Sequence, residues 1–112
     1  MDIKIQAWLL DIIVSIDEIF EFLGDVNDFS AYKNDLKTKK AIERNLEIIG
    51  EAMYRILKVD PHFPLDNAHN IIGTRNRIVH AYDNISDELI WTIVVRDLPL
   101  LKKQLEELSQ ED

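Results

Sequence analysis

Eight consecutive residues, Arg75-Asn76-Arg77-Ile78-Val79-His80-Ala81-Tyr82, set two guanidiniums, an amide, an imidazole and a phenol inside a segment otherwise composed like a core helix. Each type has a chemistry. A guanidinium presents a rigid fork of donors that matches an oxyanion. An imidazole changes charge near neutral pH and can move protons as acid or base. An amide both donates and accepts, so it can orient a phosphate or a neighbouring ring. There is no cysteine, which excludes thiol catalysis and disulfides. His62, His69 and His80 are not spaced as a ligand cluster, and no carboxylate stands at ligand spacing beside His69 or His80. No glycine-rich phosphate loop or nucleophile elbow is present. Chemistry in this chain is therefore expected to be free of metal and cofactor, carried by Arg75, Asn76 and His80, with Tyr82 as a fourth candidate.

Each candidate also has an ordinary structural use. At about 100° per residue, Ala68, Ile71, Ile72, Ile78, Val79 and Tyr82 fall in one apolar arc with Arg75 at its centre. His69, Asn76 and His80 form a stripe beside it, Gly73 lies on the same side and leaves room for close approach, and Arg77 points to solvent. Arg75 is either a snorkelling side chain whose stem covers apolar surface, or a guanidinium held at a cleft or subunit interface. His80 is either a cap for the last carbonyls of its helix or a proton carrier. Tyr82 reads first as a phenol at the edge of a core.

The elements that must position these residues read as helices. In residues 3–23, Leu9, Ile12, Ile13, Ile16, Ile19, Phe20 and Leu23 recur at steps of three and four, the pattern of an amphipathic helix closed by Gly24. "DVNDFS" reads as a loop. A second helix is predicted from about Asn34 to Lys58 with Ile42, Leu46, Ile49, Met53 and Ile56 on one face. Gly50 inside it costs roughly 1 kcal/mol against alanine, which predicts close packing against a neighbouring helix. After "VDPHFPLDN", Asp66 is a candidate N-cap for a third helix reaching Tyr82. "YDNIS" reads as a turn, with Asn84 able to take a left-handed conformation. Ser86 then caps a fourth helix, whose first-turn Asp87 and Glu88 suit its dipole. Pro99 predicts a kink, a break or a fifth segment. The expected architecture is all-α: an up-down four-helix bundle, one domain over residues 1–112.

Composition narrows the partners. The net charge is −8, unlike that of proteins that coat nucleic acid with excess lysine and arginine. Basic residues concentrate in 30–59, so the middle of the chain is where an anion would be met. No run approaches the roughly 20 apolar residues of a membrane span. Asp2 and Asp11 stand where a secretion signal would be basic and then apolar, and a cytoplasmic location without membrane contact is expected.

"RNRIVHAY" resembles the Arg-x4-His-x-Tyr motif of the HepT-like branch of the HEPN superfamily of helical domains, including the polar residue after the arginine, here Asn76. "NLEIIGEA" in the second helix, "IIG" at 71–73 and "RDLPLL" in the fourth are similar too, so the resemblance spans most of the chain. It implies a metal-independent endoribonuclease toxin of a type VII toxin-antitoxin system, acting as a homodimer or higher homo-oligomer whose two motif helices form a composite cleft. On that reading Arg75 stabilises charge on phosphoryl oxygens, His80 moves protons, Asn76 orients, and an RNA 2′-hydroxyl attacks its own phosphate, so DNA is not a substrate. The resemblance further implies an MntA-like nucleotidyltransferase antitoxin that transfers AMP onto the motif tyrosine, here Tyr82. The alternative is a non-catalytic substrate-binding subunit of a two-component nucleotidyltransferase. A purely structural dimerisation module would leave the joint presence of Arg75, Asn76, His80 and Tyr82 without a reason.

Overall fold

The computed structural model describes residues 2–80 and 86–110, with side chains to residue 108. All regular structure among them is helical: α1 (Ile3–Leu23), α2 (Phe29–Lys33), α3 (Leu36–Val59), α4 (Ala68–His80), α5 (Asp87–Thr92), a π-helical stretch Ile93–Asp97, and α6 (Leu98–Gln110). The last three run on without a gap, so four long helical limbs make an all-α fold.

α1 forms because Ile5, Leu9, Ile12, Ile16 and Ile19 give it one continuous buried stripe. The Asp2 side chain accepts from the Lys4 and Ile5 amides, and Gly24, with φ of 50°, ends it. α3 is the central element, with Ile42, Leu46, Ile49, Met53 and Ile56 all fully buried, the face that the spacing predicts. It lies between α1 and α4. Long-range polar links fix the fourth limb on the same bundle: Lys39 to Asp87 near its start, Lys102 to Asp17 of α1, and the Asp66 amide donating to the Gln104 side chain.

Three sequence expectations are corrected here, and a fourth is given its form. The loop read over "DVNDFS" ends inside a short helix, because Asp28 caps α2 by accepting from the Ala31 amide. Tyr32 of α2 is thereby buried against Trp91, beside Phe29. The second long helix starts at Leu36 rather than Asn34, capped by Asp35, whose carboxylate accepts from Thr38. Asp66 does not cap the third helix. Its amide is turned to Gln104, and Asn67, at φ of 58°, stands directly before Ala68. At Pro99 the expected fifth segment is present as α6, running on from the π-helical stretch without a gap. The extra residue per turn comes before it, where the Leu98 amide reaches back five residues to the Ile93 carbonyl. A π turn of this kind absorbs the carbonyl clash and lost donor that a proline imposes on a regular helix.

Candidate functional site

α4 carries the motif, and its buried side is Ala68, Ile71, Thr74 and Ile78. Thr74, not Arg75, sits at the centre of that face. Its hydroxyl donates to the Asn70 carbonyl one turn back, so the polar group is satisfied within the helix and can be buried. Arg75 lies about 100° round the helix from it, at the rim, with 29% of its side chain exposed.

Gly50 of α3 is what brings Arg75 to that rim. A methyl group at Gly50 would fall 2.4 Å from the Arg75 Cβ and 2.9 Å from its Cγ, with the Ile71 carbonyl oxygen at 3.3 Å. The two helices therefore meet with the arginine stem lying directly over bare glycine backbone. The close packing that an interior glycine predicts is at this position. Gly73 is the opposite case, with nothing within 4 Å of the place a methyl would take.

Past Gly50, the Arg75 guanidinium is fixed by two oxygens. Nη2 is 2.8 Å from Glu51 Oε2, and Nη1 donates to Asn76 Oδ1 at 3.0 Å. The second Glu51 oxygen, Oε1, lies 3.1 Å from Arg55 Nε. One carboxylate thus ties together arginines from two helices. Both partners keep water contact, so the Arg75–Glu51 pair contributes at most about 1 kcal/mol to stability; its main effect is to hold a flexible side chain in one orientation.

Two hollows meet at this pair. One, of about 300 Å³, is bounded by α1, α3 and α4 and includes Trp8, Ala52, Arg55, Arg75 and Val79. The other, of about 430 Å³, has Tyr54, Ile72, Arg75 and Asn76 around it. Glu51 and Arg75 line both. An anion seated at Arg75 would have free space on either side.

Asn76, Arg77 and His80 are exposed. Asn76 and His80 are one turn apart on the same stripe as Gly73 and His69, as the spacing predicts. Arg75 and His80 are five residues apart, about 140° around a regular helix, so a single copy of α4 does not aim both at one point. Tyr82, and with it the turn containing Asn84, lies outside the described residues. Among the described residues no group of three or more His, Asp or Glu side chains is placed to hold a metal ion, and no helix is long and apolar enough to cross a membrane.

Glu51 and Trp8 escaped the sequence reading. The Glu51–Arg55 pair was legible as an i,i+4 contact in the favoured order. The reach of Glu51 to Arg75 was not, because it depends on which faces of α3 and α4 meet.

The family model for "Ribonuclease HepT-like" matches residues 12–108. The chain is 36% identical over 104 residues to "Putative RNase MJ1380" of Methanocaldococcus jannaschii, covering 91% of this chain and 94% of that protein. It is 33% identical over 109 residues to "Probable ribonuclease HepT" of Thermococcus cleftensis, covering 94% of this chain and 96% of the other. No solved structure matches.

Proposed function

The chain belongs to the HepT-like ribonuclease family, and on that premise we propose that it is a metal-independent endoribonuclease whose catalytic groups are Arg75, Asn76 and His80. The observation that carries this is the setting of Arg75: stem over Gly50, guanidinium held by Glu51 and Asn76, and open hollows on both sides. A donor fork fixed in advance at a rim can stabilise charge developing on a phosphoryl group without reorganising.

The reaction is attack of an RNA 2′-hydroxyl on the adjacent phosphorus. The bond to the 5′-oxygen breaks, leaving a 2′,3′-cyclic phosphate and a free 5′-hydroxyl. An imidazole takes the 2′-hydroxyl proton, and an imidazolium returns one to the leaving oxygen. Asn76 holds the guanidinium plane and leaves its own amide N–H groups for phosphate.

The active unit is a homodimer. The angular separation of Arg75 and His80 on α4 supports this, because two copies of the helix can converge groups that one copy cannot. Exposed Asn76 and His80, beside the uncovered backbone of Gly73, form a face on which a second α4 can approach closely. The protein acts as the toxin of a toxin-antitoxin pair in the cytoplasm, silenced by a nucleotidyltransferase that transfers AMP to Tyr82. That modification adds bulk and negative charge at a residue seven positions after Arg75 in the chain.

Purified protein incubated with single-stranded RNA in excess chelator tests this. Cleavage giving cyclic-phosphate ends is expected for wild type and a loss of 100-fold or more for Arg75→Ala and His80→Ala, on the order of what removing one such group costs. Helicity should be unchanged, since neither side chain is buried. If His80→Ala cuts as wild type does, the proton-transfer role is wrong; a wild type that binds RNA without cutting it would favour the substrate-presenting alternative. Co-expression with a cognate nucleotidyltransferase should add adenylate mass at Tyr82 and suppress cleavage, and Tyr82→Phe should cut RNA yet escape silencing. Adenylate found on another residue would overturn that part.

A further inference from the structure

We propose that the hollow between α1, α3 and α4 is a subsite for the nucleotide beside the cleaved phosphate, with the Trp8 indole stacking its base and Arg55 holding its phosphate. The proposal rests on the ribonuclease reading and adds residues outside the motif to it.

Three observations converge. Trp8 and Arg75 line the same hollow of about 300 Å³, so an indole and the proposed reacting guanidinium border one space. Trp8 packs against the core yet stays partly exposed, whereas its neighbours Ile5, Leu9 and Ile12 are buried. A partly exposed indole in a hollow that also holds arginines is the kind of platform on which single-stranded nucleic acid stacks, and every base offers a π face to it. Ala52, with a methyl group alone, also lines the hollow.

Arg55 supplies the second cation. It hangs on the same Glu51 carboxylate as Arg75, so the two guanidiniums are neighbours although they come from different helices. Among the described residues Arg55 uses only Nε in that contact, which leaves both terminal nitrogens for a phosphate. Successive phosphates of one strand could then meet Arg75 and Arg55, with the intervening base against Trp8. The hollow is not strongly basic. Asp11 and Glu47 also line it, and Glu47 holds Arg44 at 2.9 Å. Stacking and local donors, rather than net charge, supply the affinity, which accords with a chain of net charge −8.

The experiment uses the full chain and a fluorescently labelled single-stranded RNA whose 2′ positions are O-methylated, so that it binds without reacting. Trp8→Ala should weaken binding by about fivefold or more, the low end for loss of one stacked base, and Trp8→Phe should recover most of it. Arg55→Gln should lower the slope of log affinity against log salt by about 0.7, one phosphate of a single strand. Unmodified RNA is assayed for cleavage by wild type in parallel. If wild type cuts RNA while Trp8→Ala and Arg55→Gln bind as it does, the subsite is overturned and the ribonuclease reading stands. If the binding dependences hold but wild type cuts no RNA, the ribonuclease reading fails, and the place beside a cleaved phosphate with it, while Trp8 and Arg55 stand as an RNA-binding site. If Trp8→Ala changes the sedimentation of the RNA-free protein, the hollow is covered by a second copy and the subsite is overturned.

Discussion

Alanine at Gly50 is the sharpest test of how the fold places the candidate site. The added methyl would lie 2.4 Å from the Arg75 Cβ, and ordinary contact begins at 3.4 Å, so α3 and α4 must separate locally by about 1.0 Å. The arginine cannot swing away to relieve this, because its Cβ is fixed to its own backbone. Overpacking of this kind costs about 1–3 kcal/mol, offset by roughly 1 kcal/mol that alanine gains over glycine inside a helix. The net expectation is a loss of about 1 kcal/mol, or roughly 5 °C in melting temperature. The effect on cleavage should be larger, since displacing a positioned group by about 1 Å can cost on the order of 100-fold. Circular dichroism melting and kcat/KM on a defined RNA give the two readouts. A Gly50→Ala protein that melts higher than wild type and cuts RNA equally well would show that the seat of Arg75 on Gly50 is not what positions it.

The other glycine of the pair predicts the opposite sign. Gly73→Ala meets nothing within 4 Å and should stabilise the chain by about 1 kcal/mol in urea melts at concentrations where it is monomeric; a loss there would refute the open surface assigned to that residue. Burial first, then the Glu43 and Asp87 carboxylates, hold the Tyr32 phenol above its ordinary value of 10.0. A raised folded value means that the neutral phenol stabilises the fold fully below about pH 10 and that this contribution is lost as pH rises further. Because the buried hydroxyl has no partner among the described residues, Tyr32→Phe should keep its stability at pH 7 and lose the steep alkaline decline; an unchanged decline would assign it to another group. Ser86 accepts from the Leu89 amide at 3.2 Å, so Ser86→Ala should cost about 1 kcal/mol in denaturant melts, and an unaltered midpoint would mean that the helix end is held by other contacts.

Much of this molecule is determined within single turns of chain. The steps of three and four that join Ile42, Leu46, Ile49, Met53 and Ile56 identify α3 and its buried face without reference to any other helix. Ser86 capping α5 and Gly24 closing α1 are likewise contacts between near neighbours, and the Asn76–His80 stripe follows from helix spacing alone. Some of the corrections are local too, the Asp28 and Asp35 caps among them, but others needed a distant partner. α2 has its own cap in Asp28, but the side chain it buries, Tyr32, packs against Trp91 of another limb, and the Asp66 amide donates to the distant Gln104. Thr74 displaced Arg75 from the centre of the buried face because its hydroxyl finds a partner within the helix, whereas a guanidinium needs oxygens beyond it. Those oxygens include Glu51, 24 positions earlier, and the route to it passes over a glycine whose missing side chain has meaning only once α3 and α4 are in contact. The chemistry of the arginine is written in its residue type. Its direction is set by the packing of two helices, and that is long-range.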